Sequence, residues 1–290
     1  GVPVVKEFNP SETIEFPVVT KPADSYSGKG ISICRNESEF KNGIDFALKY
    51  SKTKQYLIEK FMDSREVECI NIDYLIKDGE IKLSAIGDKY VNNEQGNKTP
   101  LTSAVLYPSI RQDEYIKSLD EKVKNMFMHL GMKNGTLFIE SFYDEEGFHF
   151  YEMGYRLSGG RHYIFTENQN QTNACKELIQ FALDGNMSHD KLSKKANPAF
   201  KDLCIQLSII CKSETINRIE GWEYVQGLKE VIDATTYFAE GDTIGQQGTT
   251  ASIFARLHLV CKDSKRYDEI LNDIKSHLRV YNAQNANIII

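Results

Sequence analysis

The sequence predicts an α+β fold of two or three lobes, and three observations carry that reading. Short β-branched and aromatic runs are interspersed with amphipathic helical stretches rather than gathered into one class. Turn signals such as Lys77-Asp78-Gly79 and Glu145-Glu146-Gly147 join neighbouring runs into hairpins. A polar run over 186–197 separates the longer first part from a tail of short strands and one last helix. A chain of 290 residues is long enough to bury a sizeable core in such an arrangement.

Each element follows from local chemistry. Residues 16–21 are β-branched and aromatic and stop at Pro22, as a strand does when its next residue lacks an N–H. Gly28 and Gly30 precede a second short strand, Ile31-Ser32-Ile33-Cys34, so the loop between them closes a hairpin. Phe40, Ile44, Ala47 and Leu48 fall at helical spacing between Glu37 and Tyr50, with Asn36 or Ser38 as the cap. Gln55 to Phe61 reads as a strand, Val67 to Ile76 and Glu80 to Ile86 as a hairpin, and Asn92 to Lys98 as a polar loop. Ile116, Leu119, Val123, Phe127 and Leu130 share one side of a helix from Gln112 to Leu130. Thr136 to Phe142 and Phe148 to Met153 are strands, and Asn173 to Leu183 a helix ending near Gly185. Beyond the boundary come strands over Leu203–Cys211, Val231–Phe238 and Ile253–Val260, then a helix over Tyr267–Leu278.

Composition excludes several classes. A net charge of −6 and an isoelectric point near 5.6 leave no basic footprint for nucleic acid. No apolar run approaches the ~20 residues that span a bilayer, which argues against a membrane protein. Six scattered cysteines without a CxxC pair read as reduced thiols, and hence as a cytoplasmic protein.

The chemistry concentrates in four segments. Lys21 ends a strand, where a long cation reaches over a cleft, and the glycine pair after it lets backbone approach phosphate oxygens. Alone, this spacing is better read as a tight hairpin with a surface lysine. It is not a P-loop, because GxxxxGK[ST] is absent and the loop leads into a strand. Glu59-Lys60-Phe61-Met62 leaves an apolar strand and can offer backbone groups to an adenine edge, with Glu66 placed for ribose; read alone, it is also an edge strand with solvated charges. If Glu145-Glu146-Gly147 is a three-residue loop, Asp144 faces Phe148, Phe142 faces Phe150 and Glu140 faces Glu152, whereas a four-residue loop puts Glu140 opposite Tyr151. Opposed carboxylates about 5 Å apart destabilise a sheet unless a divalent cation or a proton lies between them. Arg156 follows four residues after Glu152, beside Ser158-Gly159-Gly160, where a guanidinium can stabilise a transferring phosphoryl group. Arg161 and His162 flank those glycines and are candidates for substrate contact, although a lone histidine also serves structure.

Together and in this order, these segments resemble the ATP-grasp superfamily, in its carboxylate–amine ligase branch, with biotin carboxylase and purine-pathway carboxylases as cousins. The resemblance covers residues 1–185 and continues more weakly beyond. It implies two α/β lobes gripping ATP, followed by a small, mainly antiparallel C-terminal subdomain. The boundaries expected are 1–61 for the small lobe, 62–190 for the large lobe and 191–290 for the subdomain. Lys21 is implied on the α/β-phosphates, with Ser27, Gly28 and Gly30 in the covering loop. Glu59 with the backbone of Lys60 and Met62 is implied on adenine, and Glu66 on ribose. Glu140 and Glu152 are implied as Mg2+ ligands, Arg156 as catalytic against the reacting carboxylate, and Lys89 as a basic residue near it. The activity implied is ATP-dependent ligation of a small-molecule carboxylate to an amine through an acyl-phosphate. A nucleotide-binding module without turnover is the alternative.

Two departures from the family's pattern bear on this. Gly154 stands where relatives carry an Asn metal ligand, so Gly154→Asn is expected to sharpen magnesium dependence if the slot is under-coordinated. The opening Gly1-Val2-Pro3-Val4-Val5 resembles the start of the small lobe, so the family's front domain and an upstream lysine are expected before residue 1. That domain counts among the expected partners, and a homodimer stays open.

Overall fold

The computed structural model describes residues 1–26, 28–92, 101–187 and 196–290. Two antiparallel sheets organise it. The smaller has the order β2-β1-β3, built from β1 (Val18–Pro22), β2 (Ser32–Cys34) and β3 (Tyr56–Lys60). Helix α1 (Glu37–Tyr50) packs on it through Phe40 and Ala47, which join Val18, Cys34 and Ile58 in burial. Asn36 caps that helix by accepting from the Glu39 amide at 3.0 Å, while Glu39 reaches back to the Arg35 amide at 2.8 Å.

The larger sheet has eight strands and is antiparallel throughout. It comprises β4 (Glu68–Lys77), β5 (Glu80–Asn92), β6 (Leu101–Tyr107), β7 (Gly135–Asp144), β8 (Gly147–Gly154), β9 (Leu203–Ile210), β11 (Val231–Thr236) and β12 (Ile253–Cys261). Its order is β11-β12-β9-β6-β5-β4-β7-β8, and a small ribbon pairs β10 (Arg218–Glu220) with β13 (Arg279–Tyr281). Strand β6 was not foreseen in the sequence, yet it joins β5 to β9 and so links β4, β5, β7 and β8 with the C-terminal strands in one sheet. The division expected at 190/191 falls among residues outside the description, and the sheet runs across it.

Alternation gives this sheet two unlike faces. Ile70, Ile72, Ile139 and Phe150 are buried with Tyr115, Leu119, Val123 and Phe127 of a helical segment: α2 (Gln112–Tyr115), a π-helical stretch Ile116–Asp120, and α3 (Glu121–His129). Further along the same face, Ile205, Leu207, Leu257 and Leu259 pack on Ile270 and Ile274 of the C-terminal helix (Ser264–His277), which Asp263 caps. The opposite face is mixed: Ala85, Val105, Tyr107 and Cys204 are buried there with Phe165, beside the polar Asn71, Asp73, Gln206 and His258. It lies under the loop after β8, α4 (Tyr163–Asn170) and α5 (Ala174–Asp184).

The first residues stitch the sheets together. Phe150 of β8 donates to the Pro3 carbonyl at 3.1 Å and accepts from the Val5 amide at 3.0 Å. From the next residue on, the Lys60 amide of β3 donates to the Lys6 carbonyl at 2.8 Å, and the Phe8 amide to the Ile58 carbonyl at 2.8 Å. The small sheet is therefore held beside the β7–β8 hairpin by a continuous backbone ladder.

No helix among the described residues is long and apolar enough to cross a membrane. All six cysteines are free thiols, five of them buried.

Candidate active site

The site grows from one irregularity in the β7–β8 hairpin. Its turn has two residues, Glu145 and Glu146, because Asp144 faces Gly147. The three-residue turn expected from the sequence is thus one residue too long. With the shorter turn, Tyr143 faces Phe148, Phe142 faces His149, and Ser141 faces Phe150. The register then shifts, and Glu140 faces Glu152 all the same. The extra residue is Tyr151, left without an opposite number, as in any β-bulge. The carboxylate pairing inferred from sequence stands, and a bulge rather than the turn creates it.

The bulge has a second effect. The Tyr151 carbonyl accepts from Lys21 Nζ at 2.9 Å, so a side chain of the small sheet crosses to the large one. Lys21 also pairs with Glu59 at 2.6 Å, its diagonal neighbour across β1 and β3, both side chains being largely buried. Burial pushes the Glu59 carboxyl above the usual range, and the Lys21 ammonium only partly offsets it. Tyr151 itself stacks on Phe142 at 4.4 Å and donates its hydroxyl to Glu140 Oε2 at 2.6 Å. Lys89 Nζ meets the same carboxylate oxygen at 2.6 Å and the Tyr151 hydroxyl at 3.2 Å. Burial raises the Glu140 carboxyl, but Lys89 and Tyr151 outweigh it and hold the group below its ordinary value. Glu152 is exposed, and its carboxyl is pushed up by partial desolvation and by the facing Glu140 charge.

Two facing carboxylates can hold a cation between them; here, against burial, Lys89 and Tyr151 lower the Glu140 carboxyl, while burial and the Glu140 charge raise that of Glu152. Among the described residues no group of three or more His, Cys, Asp or Glu is placed to hold a metal. A two-carboxylate site that leaves other positions to water and phosphate suits magnesium, which dehydrates reluctantly.

Gly154 proves to be steric rather than vacant. It faces Phe138, and a Cβ there would lie 2.3 Å from Phe138 Cε1. The Arg156 guanidinium sits over the same ring at 4.5 Å. The ring thus takes up the room that an Asn side chain would need, which corrects the expectation that Gly154→Asn would add a ligand.

The remaining candidates fall as follows. Gly28 and Gly30 have φ of +73° and +81°, and a Cβ on Gly30 would strike Pro22 at 2.6 Å, so that turn needs glycine. Ser27 lies outside the described residues. The Lys60 amide, expected near adenine, is engaged by Lys6, while Met62 is half-buried and Glu66 exposed just beyond the strand.

Sequence reasoning missed the polar side chains that continue from this pair. Asn71 faces Glu140 on β4 and donates to Asp73 Oδ2 at 2.7 Å. His162 Nδ1 lies 3.0 Å from Asp73 Oδ2 and 3.0 Å from Ser158 Oγ. Farther along, Arg161 donates to Asp233 at 2.7 Å and Thr235 at 3.1 Å, and the buried His258 bridges Asp233 and the Gly160 carbonyl at 3.2 and 2.8 Å. Strands β9, β11 and β12 therefore hold the Ser158–His162 loop down. The period-2 alternation of Gln206, Ser208 and of Arg256, His258 was the available signal, but only sheet order aligns it with the loop.

Over 85 residues the chain is 36% identical to a D-alanine--D-alanine ligase from Borrelia garinii subsp. bavariensis, covering 29% of this chain and 22% of that protein. A D-alanine--D-alanine ligase from Streptococcus thermophilus is 47% identical over 57 residues, 20% of this chain and 16% of that one. The chain thus spans about a fifth of the length of the curated relatives it matches. Among solved structures, an L-amino acid ligase from Bacillus licheniformis superposes with a TM-score of 0.75 at 18% identity, over 97% of this chain and 68% of that one. The biotin carboxylase domain of a Hydrogenobacter thermophilus 2-oxoglutarate carboxylase, in complex with MgADP, gives 0.71 at 21%, over 96% and 63%. These likenesses establish the ATP-grasp fold that the sequence resembles. The family described as D-ala D-ala ligase C-terminus matches residues 6–154, from the segment that stitches the two sheets to the last residue of β8, and this chain belongs to that family.

Proposed function

We propose that the protein is an ATP-dependent ligase that joins a small-molecule carboxylate to an amine, using Mg2+ and ATP. One observation carries the reading: Lys21 of the small sheet reaches the bulge carbonyl of Tyr151, next to the opposed Glu140 and Glu152. A triphosphate held between the sheets would meet the cation of one and the paired carboxylates of the other.

In this reading Lys21 and the backbone of Gly28 and Gly30 hold phosphate oxygens, Glu59 with the Lys60 carbonyl and the Met62 backbone faces the base, and Glu66 faces the ribose. Glu140 and Glu152 would hold magnesium, which when bound neutralises phosphate charge and favours displacement at the γ-phosphorus. A substrate carboxylate oxygen bonds to that phosphorus as the bridging oxygen leaves with ADP. The amine then attacks the acyl carbon, and inorganic phosphate departs with a proton lost from nitrogen. Arg156, steadied on Phe138, balances charge on the acyl-phosphate, and Lys89 keeps Glu140 ionised and in place. Partners are then the acid, the amine and the rest of a longer protein, in the reducing cytosol that six free thiols suit.

The test is ADP release by the full-length protein with acid and amine supplied singly and together. Release that requires both supports ligation. ATP hydrolysis indifferent to every acid–amine pair would refute it. A nucleotide-binding module without turnover is the second reading, favoured by the Phe138 ring beside the metal pair; Mg-ATP stabilisation with no ADP release under any pairing would select it.

A further inference from the structure

Beneath the loop that carries Arg156 lies a small cavity against the mixed face of the large sheet. Asp73, Ser84, Thr136, Arg156, Ser158 and His162 are among the side chains that line it. It measures about 30 Å3, room for one or two water-sized groups.

Three features of its lining point to one kind of occupant. Thr136 is only 6% exposed, and its Oγ1 has no hydrogen-bond partner. A buried hydroxyl in that state is destabilising until something fills its hydrogen-bonding capacity. Asp73 is half-satisfied in a similar way. Asn71 Nδ2 and His162 Nδ1 both address Oδ2, at 2.7 and 3.0 Å, and among the described residues no hydrogen bond falls on Oδ1. Ser84 donates its hydroxyl proton to the Asp73 carbonyl at 2.9 Å, which leaves its oxygen free to accept. The positive charge nearby is turned elsewhere: the Arg156 guanidinium lies over Phe138 and donates to the Leu157 carbonyl at 2.9 Å. Besides Arg156 and His162, the polar lining is then Asp73, whose second carboxylate oxygen takes no bond from the described residues, and hydroxyls able to accept.

We infer that this cavity receives the ammonium head of a primary amine, bound by Asp73 with Thr136 and Ser84. A compact cation with three donors matches one anionic and two neutral acceptors, whereas an anion would be repelled by Asp73. The pocket rests on the ligase reading for its biological occupant, since Arg156 lines it and is also placed against the acyl-phosphate. An ammonium seated there lies beside Arg156, and it gives one proton to Asp73 before its freed lone pair attacks the acyl carbon.

Methylammonium chloride is the probe, and the side-chain NMR signal of His162 is the reporter, assigned by its loss in His162→Gln. The expected result is a saturable shift with methylammonium and none with sodium chloride or with tetramethylammonium, which is too bulky for the space. Asp73→Asn should abolish the shift. Thr136→Val, which keeps the shape, should weaken it about fivefold, the worth of one neutral hydrogen bond. Equal shifts with sodium or tetramethylammonium, or unchanged affinity in both variants, would overturn the inference and leave the cavity to water. Thermal stabilisation by Mg-ATP is read on the same samples. Stabilisation without methylammonium binding removes the amine pocket alone; methylammonium binding without stabilisation removes the ligase reading and keeps the pocket.

Discussion

Replacing Gly154 tests the geometry of the β7–β8 hairpin without depending on any substrate. The structure gives the size of the perturbation. A Cβ at residue 154 would sit 2.3 Å from Phe138 Cε1 and 2.8 Å from its Cζ, well inside van der Waals contact. Phe138 is 3% exposed and cannot swing into solvent, so Gly154→Ala should destabilise by about 1–3 kcal/mol, the usual range for overpacking. Phe138→Ala should cost about 3–5 kcal/mol as a large-to-small core change. The double variant should be better than the sum by about 1–2 kcal/mol, because removing the ring makes room for the methyl group. Urea unfolding of the four proteins, with m compared among them, measures each term. Gly154→Ala within 0.5 kcal/mol of the parent, or strict additivity in the cycle, would refute the reasoning. In that case the slot is open after all, and Gly154→Asn should again be tried as an added ligand.

Other expectations follow from the same contacts. Glu152→Gln should abolish Mg-ATP turnover in the full-length protein while leaving its circular dichroism unchanged; retained turnover would remove the metal role. Lys21→Ala should weaken nucleotide binding by about 1–3 kcal/mol, the range for a charge-assisted contact, as read by calorimetry. Tyr151→Phe keeps the bulge and the stack on Phe142 but deletes the hydroxyl on Glu140, so it should lower stability by about 1–2 kcal/mol in denaturant titrations. Stability should also fall as pH drops below the ordinary histidine value of 6.5, because burial depresses the His258 pKa and the unfolded chain binds that proton first. The sign is that of a group neutral when folded, so His258→Gln should flatten the thermal melting temperature between pH 6.5 and 5; an unchanged slope would clear His258 of the effect.

The sequence by itself determined the local elements and the pairing of Glu140 with Glu152. Asn36 before the Phe40–Ala47 periodicity, Pro22 at a strand end and glycines at 28 and 30 are short-range signals, and short-range physics decides them. Tertiary structure decided how that pairing arises and what surrounds it. A shorter turn compensated by a bulge at Tyr151 cannot be told from a longer turn by alternation alone, since both restore the same register. The Gln206, Asp233 and His258 side chains under the Ser158–His162 loop meet it only through strand order. That order is fixed by β6 joining β5 to β9, a contact between segments about 100 residues apart, and such long-range pairing leaves no periodic trace in the chain.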